Sequence, residues 1–270
     1  MTTHQILEQH ILDMIDRQSE KSTPNDLVNL IRRQFPFKRA EILSTVKTLM
    51  TKNHLAYTQE YGRTFVERSF HGPVRLSDRV IVKPPGMAFD AKPDDIVIDI
   101  AAGASFGSGC HPTTRLAVKG IEHVFALSNI TTRPDQQKVL DIGTGSGILA
   151  ITGLKMGMDH ATGTDTDPCA RYEAMQNARL NGLENRFVIS DPDSIRDESF
   201  NLITANLRTP TLKQILPAIR KMLLPDGTVV VSGIRTDETK GIEAAYTKAG
   251  FTCIRKNVEK GWAGMVFVVK

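Results

Sequence analysis

The stretch KVLDIGTGSGILA, residues 138–150, limits what this chain can fold into more than any other. An apolar run with strand character enters a loop with glycine at 143, 145 and 147, and an apolar helical pattern follows at once. Glycines let the backbone approach a ligand where side chains would clash. The helix start beyond them offers free N–H groups and the positive end of a dipole. The spacing is D-x-G-x-G-x-G, opening on Asp141. It is not G-x-G-x-x-G, because position 148 is Ile, and this lowers the odds of a nicotinamide or flavin dinucleotide.

The rest of the C-terminal sequence is consistent with that entry. Apolar strand patterns recur in HATGTD, RFVIS, FNLITAN, TVVVSGI, FTCIRKN and GMVFVVK, with helical patterns near 112–127, 147–157, 168–180, 211–223 and 238–249. Strands alternating with helices predict an α/β, doubly wound, mainly parallel sheet covered on both faces. VRLSDRVIVKPPG and DDIVIDIAAG read as strands or strand fragments ahead of it.

Residues 1–70 have a different texture. Helical patterns fall at 4–18, from Thr23-Pro24 to about Arg33, and at about 38–52, and an alternating hairpin follows around Tyr61-Gly62. Three helices and a hairpin predict a small winged-helix-like domain, 1–70, ahead of a ligand-binding domain, 71–270. RRQFPFKR (32–39) places four basic residues where a recognition helix would begin. The domain nevertheless carries ten Lys/Arg against eight Asp/Glu. That weak electrostatic footprint favours protein contact or dimerisation over nucleic acid.

Composition narrows the class further. The chain has 270 residues, 40% of them hydrophobic, with a formal charge of +4. It has no apolar run near the roughly 18 residues of a membrane span and no signal-peptide layout at its N-terminus. A cytoplasmic protein is expected. Cys110, Cys169 and Cys253 are widely spaced and never in a C-x-x-C pair, so neither a disulfide framework nor a structural zinc site is expected.

Spacing nominates further residues. Asp165, 22 residues after Gly143, ends the second strand where an acid accepts hydrogen bonds from a ribose diol. Asp167-Pro168 supplies the next helix's cap and first-turn proline, which leaves Asp165 free for that task. Asp191 follows the third strand, where an adenine amino group would be met. Asn206 closes the fourth strand beside the crevice of a doubly wound sheet. There it either accepts a hydrogen bond from an amine or simply forms a turn. FGSGCHPTTR (106–115) reads either as a Cys110-His111 metal or nucleophile pair, or as a flexible lid over a polar ligand.

KVLDIGTGSGILAI, GTDTDP and ITANL, in this order, resemble a class I S-adenosylmethionine-dependent methyltransferase. FGSGCHPTTR resembles the F-G-T-G-x-H-P-T-T signature of the ribosomal protein L11 methyltransferases, and KGWAGMVFVV, with Trp262, resembles that family's closing strand. The resemblance covers roughly residues 73–270. It implies a Rossmann-like seven-stranded sheet, S-adenosylmethionine as cofactor, and methylation of a lysine or N-terminal amine of a protein, with a ribosomal protein as candidate. It also implies roles for single residues: Thr114 and Phe106 by the methionine part, Gly143 by the methionine and sugar, Asp165 on the ribose, and Asn206 facing the methyl group and the amine. Asp141, Gly145, Gly147 and Asp191 complete the cofactor set, and segment 104–115 becomes the lid.

Two departures stand out. Residues 1–70 are not the α+β module of that family, and Leu207-Arg208-Thr209-Pro210 replaces small apolar residues, bringing a cation close to the acceptor pocket. Two other readings stay open: a small-molecule methyltransferase dimerising through its winged helix, and a nucleic-acid-binding regulator that senses the cofactor.

Overall fold

The computed structural model describes residues 3–17, 22–52, 54–60, 63–69, 72–101, 111–127, 137–195 and 198–269. The chain divides into two compact units, Met1–Gly72 and Pro73–Lys270.

In the first unit, helices α1 (Thr3–Arg17), α2 (Pro24–Gln34) and α3 (Arg39–Thr51) precede strands β1 (Leu55–Glu60) and β2 (Arg63–Arg68). Local chemistry sets the start of α2: Thr23 is its N-cap, Pro24 opens the first turn, and Asp26 returns a carboxylate to the Thr23 amide at 3.1 Å. β1 and β2 form an antiparallel hairpin, and Ser22 makes an isolated bridge to Val66. Leu7, Ile11, Leu27, Ile31, Ile42 and Leu49 form the core of this unit, none more than 2% exposed. Each such side chain contributes ~1.5–3 kcal/mol by leaving water.

The second unit opens with a three-stranded sheet of β3 (Val74–Arg75), β4 (Val80–Lys83) and β5 (Ile96–Asp99), in that order. Helix α4 (Pro112–Ala126) follows. Strands β6 (Lys138–Ile142), β7 (His160–Thr164), β8 (Phe187–Ser190), β9 (Phe200–Asn206) and β10 (Leu223–Arg235) then alternate with helices α5 (Ile148–Met156), α6 (Pro168–Leu180), α7 (Thr209–Met222) and α8 (Thr239–Lys248), before β11 (Phe251–Glu259) and β12 (Trp262–Val269).

The main sheet has seven strands in the order β11-β12-β10-β9-β6-β7-β8. All neighbours are parallel except β12, which runs antiparallel to both β10 and β11. The chain starts at β6, builds outward through β7 and β8, then returns to β9 on the other side of β6. The order therefore reverses between β6 and β9, and a doubly wound sheet opens its ligand crevice at such a switch point.

Both faces are covered, as β10 shows residue by residue. Val230 meets Gly120 of α4 so closely that a Cβ there would lie 2.6 Å from the valine. Val229 and Val231 point the other way, into a cluster with Leu212 and Ile219 of α7 and Ile242 and Tyr246 of α8. Alternation along one strand thus feeds two cores. Among the described residues no helix is long and apolar enough to cross a membrane.

Candidate functional site

The glycine loop between β6 and α5 is held by backbone geometry that side chains resist. Gly143, Gly145 and Gly147 have φ of 72°, 53° and 83°, the left-handed region. The amides of Gly143 and Thr144 both donate to the Thr164 carbonyl at 2.8 Å, which pins the loop to the end of β7. A Cβ on Gly147 would lie 3.0 Å from Phe187 and 3.3 Å from the Ala174 backbone.

Asp141 lies beneath this loop and is 0% exposed. Its carboxylate accepts hydrogen bonds from the Thr144 hydroxyl at 2.8 Å and the Thr204 hydroxyl at 2.7 Å, and another from the Ala150 amide in the first turn of α5. Burial raises its pKa to about 6, with the Asp165 charge adding to the rise and these three hydrogen bonds opposing it. The sequence pattern groups Asp141 with the cofactor contacts. In the structure its carboxyl has no exposed surface and holds the loop from below through Thr144 and Thr204.

Asp165 follows β7 and is half-buried. One oxygen accepts the Gly145 amide at 3.0 Å and the other accepts the Asp167 amide at 3.0 Å. A carboxylate has about four acceptor positions, so two remain for a diol. Asp167 caps α6 by accepting the Cys169 amide at 2.9 Å, with Pro168 in the first turn. Asp191 is exposed after β8, and its carbonyl accepts from the Ser194 amide and hydroxyl.

Across the switch point, Asn206 ends β9 opposite Ser232 of β10, one step beyond the pairing of Ala205 with Ile142. Leu207 packs over the loop so closely that a Cβ on Gly143 would lie 2.6 Å from its side chain. Asn206 is half-buried, and among the described residues its carboxamide has no hydrogen-bond partner. Arg208 is exposed at the N-cap of α7.

The third wall is the start of α4. His111 is its N-cap: Nδ1 accepts the Thr113 amide at 3.3 Å and lies 2.8 Å from the Thr113 hydroxyl. The ring meets Trp262, the first residue of β12, edge-on with centroids 5.3 Å apart. Burial, then the charges of Arg115 and Lys260, push the imidazole below its ordinary pKa. Thr114, in the same turn, is 1% exposed, and among the described residues its hydroxyl has no hydrogen-bond partner. Phe106 and Cys110 lie outside the described residues. Among the described residues no group of three or more His, Cys, Asp or Glu is placed to hold a metal ion.

Some members of the site carry no signal that spacing could have shown. Arg115 of α4 donates to Glu259 of β11 at 2.6 Å across 144 residues of sequence, and Lys119 donates to the same carboxylate at 3.1 Å. Burial works to raise the Glu259 pKa, but hydrogen bonds and charge from Arg115 and Lys119 outweigh it and hold the group below its ordinary value. Thr204 and Thr144, the partners of Asp141, are ordinary strand and loop residues until the fold brings them together.

This arrangement has relatives. The chain is 31% identical over 200 residues to a ribosomal protein L11 methyltransferase of Geobacter metallireducens, a match covering 74% of this chain and 64% of the relative. It is 32% identical over 195 residues to the ribosomal protein L11 methyltransferase of Geobacter sulfurreducens, covering 72% and 62%. The chain thus spans less than two thirds of the length of these curated relatives. A crystal structure of a ribosomal protein L11 methylase from Lactobacillus delbrueckii subsp. bulgaricus superposes with a TM-score of 0.65 at 30% identity, covering 74% of this chain and 99% of that one. The family model "Ribosomal protein L11 methyltransferase (PrmA)" matches residues 38–270, from the N-cap of α3 to the last residue. The chain belongs to the ribosomal protein L11 methyltransferase family.

Proposed function

We propose that this chain transfers a methyl group from S-adenosylmethionine to an amine of a protein, with ribosomal protein L11 as the first acceptor to test. The observation that carries the reading is the Thr114 hydroxyl, buried and, among the described residues, without a partner at the start of α4. Most buried polar groups are paired, so an unmade one at a candidate site is a place for a ligand to bind. The neighbouring groups fit the same cofactor. The left-handed glycines let a ligand approach the backbone, the start of α5 offers its amides, and Asp165 keeps acceptor positions for a ribose. Phe106 and Asp191 are the further contacts of this reading, for the methionine part and the adenine.

When bound, the cofactor supplies a methyl group already activated on a sulfonium, so the protein's task is mainly to position the reactants. The Asn206 carboxamide accepts an N–H of the incoming neutral amine and directs its lone pair. The methyl group would pass to that nitrogen as its bond to sulfur breaks, and the surplus proton would leave nitrogen for water. No base of the protein is required. Arg208, next to this pocket, disfavours a charged amine and so selects its neutral form. The first unit serves acceptor recognition in this reading, and the reaction belongs in the cytoplasm.

The test supplies purified protein and methyl-labelled S-adenosylmethionine with ribosomal protein L11, and separately with the protein, RNA and small-molecule fractions of an extract. Label is expected on amines of the protein fraction. Label confined to RNA or small molecules would sink the protein acceptor, and tight binding without turnover would favour the cofactor-sensing regulator. Asn206→Ala should lower kcat by about a hundredfold, in the range for one positioned polar group in a transition state. Cofactor affinity should stay within about threefold.

A further inference from the structure

Strand β5 is an edge strand of its three-stranded sheet, so the outward N–H and C=O groups of its free side need partners from elsewhere. Helix α6 and its C-cap supply partners through two asparagines spaced four apart, Asn177 in the last turns and Asn181 at the cap. Asn181 imitates a neighbouring strand. Its Oδ1 accepts the Asp99 amide at 3.0 Å, and its Nδ2 donates to the Asp99 carbonyl at 2.7 Å and to the backbone carbonyl of Asn177 at 2.7 Å. Two residues on, the same edge presents the Ala101 amide, which donates to Oδ1 of Asn177 at 2.9 Å.

Asn177 does not complete the pattern. Its Nδ2 turns away from the strand and donates to the Ser146 carbonyl at 2.8 Å, inside the glycine loop. The residue is only 2% exposed. One buried carboxamide therefore holds both the backbone leaving β5 and the loop between β6 and α5. The Ser146 carbonyl shares a rigid peptide plane with the Gly147 N–H, which donates to the Thr144 carbonyl at 2.8 Å. That plane is fixed at both ends, by Asn177 on one side and by Thr144 on the other.

We infer that Asn177 is a positioning residue of the glycine loop: it sets the 146–147 peptide plane and couples the loop to the end of β5. Asn181 secures the same strand edge without touching the loop. The functional consequence rests on the cofactor reading above, whereas the linkage itself stands on geometry.

The two asparagines make a matched experiment. Asn177→Asp is nearly isosteric and can still accept from Ala101, but its carboxylate cannot donate to Ser146. Asn181→Asp weakens the β5 edge and leaves the loop alone. Amide hydrogen exchange in the ligand-free full chain reads the linkage directly. In Asn177→Asp the amides of Gly145 and Gly147 should exchange at least about tenfold faster, while in Asn181→Asp they keep the wild-type rate.

By calorimetry and steady-state kinetics, Asn177→Asp should raise Kd and KM for S-adenosylmethionine about tenfold with kcat at saturation within about twofold. Asn181→Asp should leave both within about threefold. If Asn177→Asp does not fold, Asn177→Ser, which admits a water between Ala101 and Ser146, takes its place.

Equal effects of the two positions on loop exchange and Kd would overturn the inference, as would a lower Tm for the Asn177 variant with Kd unmoved. Wild-type protein that fails to bind S-adenosylmethionine would refute the cofactor reading alone. The exchange rates would still judge the linkage.

Discussion

The two halves of the site are built from different materials. On the β6, β7 and β8 side, the working groups are backbone: three left-handed glycines, amides held by the Thr164 carbonyl, and carboxylates that bind N–H groups. Residues 141–167 contain almost all of it. On the β9, β10 and β12 side, the groups are side chains gathered from distant parts of the chain. Asn206 and Arg208 come from β9 and the start of α7, His111 from the cap of α4, and Trp262 from β12, while Glu259 ties α4 to β11 across 144 residues. Backbone conformation tolerates few residue types, whereas an assembly of side chains can be altered one at a time. On the proposed reading the cofactor half is the constrained part and the acceptor half, with Arg208 exposed at the start of α7, the adjustable part.

The largest expected effect tests whether the buried charge of the first half serves the fold. Asp141 moves from an ordinary 3.8 to about 6 because burial disfavours its ionised form. Between those values the folded chain holds the proton and the unfolded chain has lost it. This group's contribution to stability is then full below about pH 4 and declines as pH rises through 6. The shift corresponds to roughly 3 kcal/mol. Asp141→Asn removes the titration, so the stability of wild type minus variant should fall by roughly that amount between pH 4 and pH 7 in urea melts. A flat difference would mean that Asp141 ionises freely, and the distinction between a buried loop anchor and a ligand contact would collapse.

Next in size is Asp165→Ala, expected to weaken S-adenosylmethionine binding at least tenfold through loss of charge-assisted hydrogen bonds. The substitution also leaves the Gly145 amide without its 3.0 Å partner, so cofactor affinity and loop order should fall together. Unchanged affinity by calorimetry would move the ribose contact elsewhere and leave Asp165 as a loop tie only.

These two residues also show what the sequence made legible. The glycine spacing, the acid after the second strand and the Asp167-Pro168 cap are each local, and local backbone rules exposed them. The strand and helix alternation did the same for the sheet, because buried parallel strands and amphipathic helices carry their periods openly. The placement of Asp141 was not legible, since an acid in a strand reads the same whether its carboxyl ends in solvent or under a loop. Asn177 was equally hidden: an asparagine in a helix looks indifferent until its two partners, Ala101 and Ser146, arrive from other segments. The Arg115–Glu259 pair joins residues from nearly opposite ends of the second unit, a separation no spacing rule spans.

The smallest effect sets two adjacent threonines against each other. Thr113 and Thr114 are both 1% exposed in the first turn of α4. The Thr113 hydroxyl lies 2.8 Å from Nδ1 of His111, whereas among the described residues the Thr114 hydroxyl has no partner. Losing a made hydrogen bond costs about 1 kcal/mol, while removing an unmade buried polar group is neutral or favourable. Thr113→Val should therefore lower Tm with cofactor affinity unchanged, because it loosens only the His111 cap beside Trp262. Thr114→Val should leave Tm unchanged or raise it slightly, yet weaken S-adenosylmethionine binding by about fivefold, the loss of one hydrogen bond. Thermal melts with and without cofactor read both signs in one experiment. Loss of stability in Thr114→Val with unchanged affinity would assign that hydroxyl to the fold, and the cofactor half would then end at β6 without reaching α4.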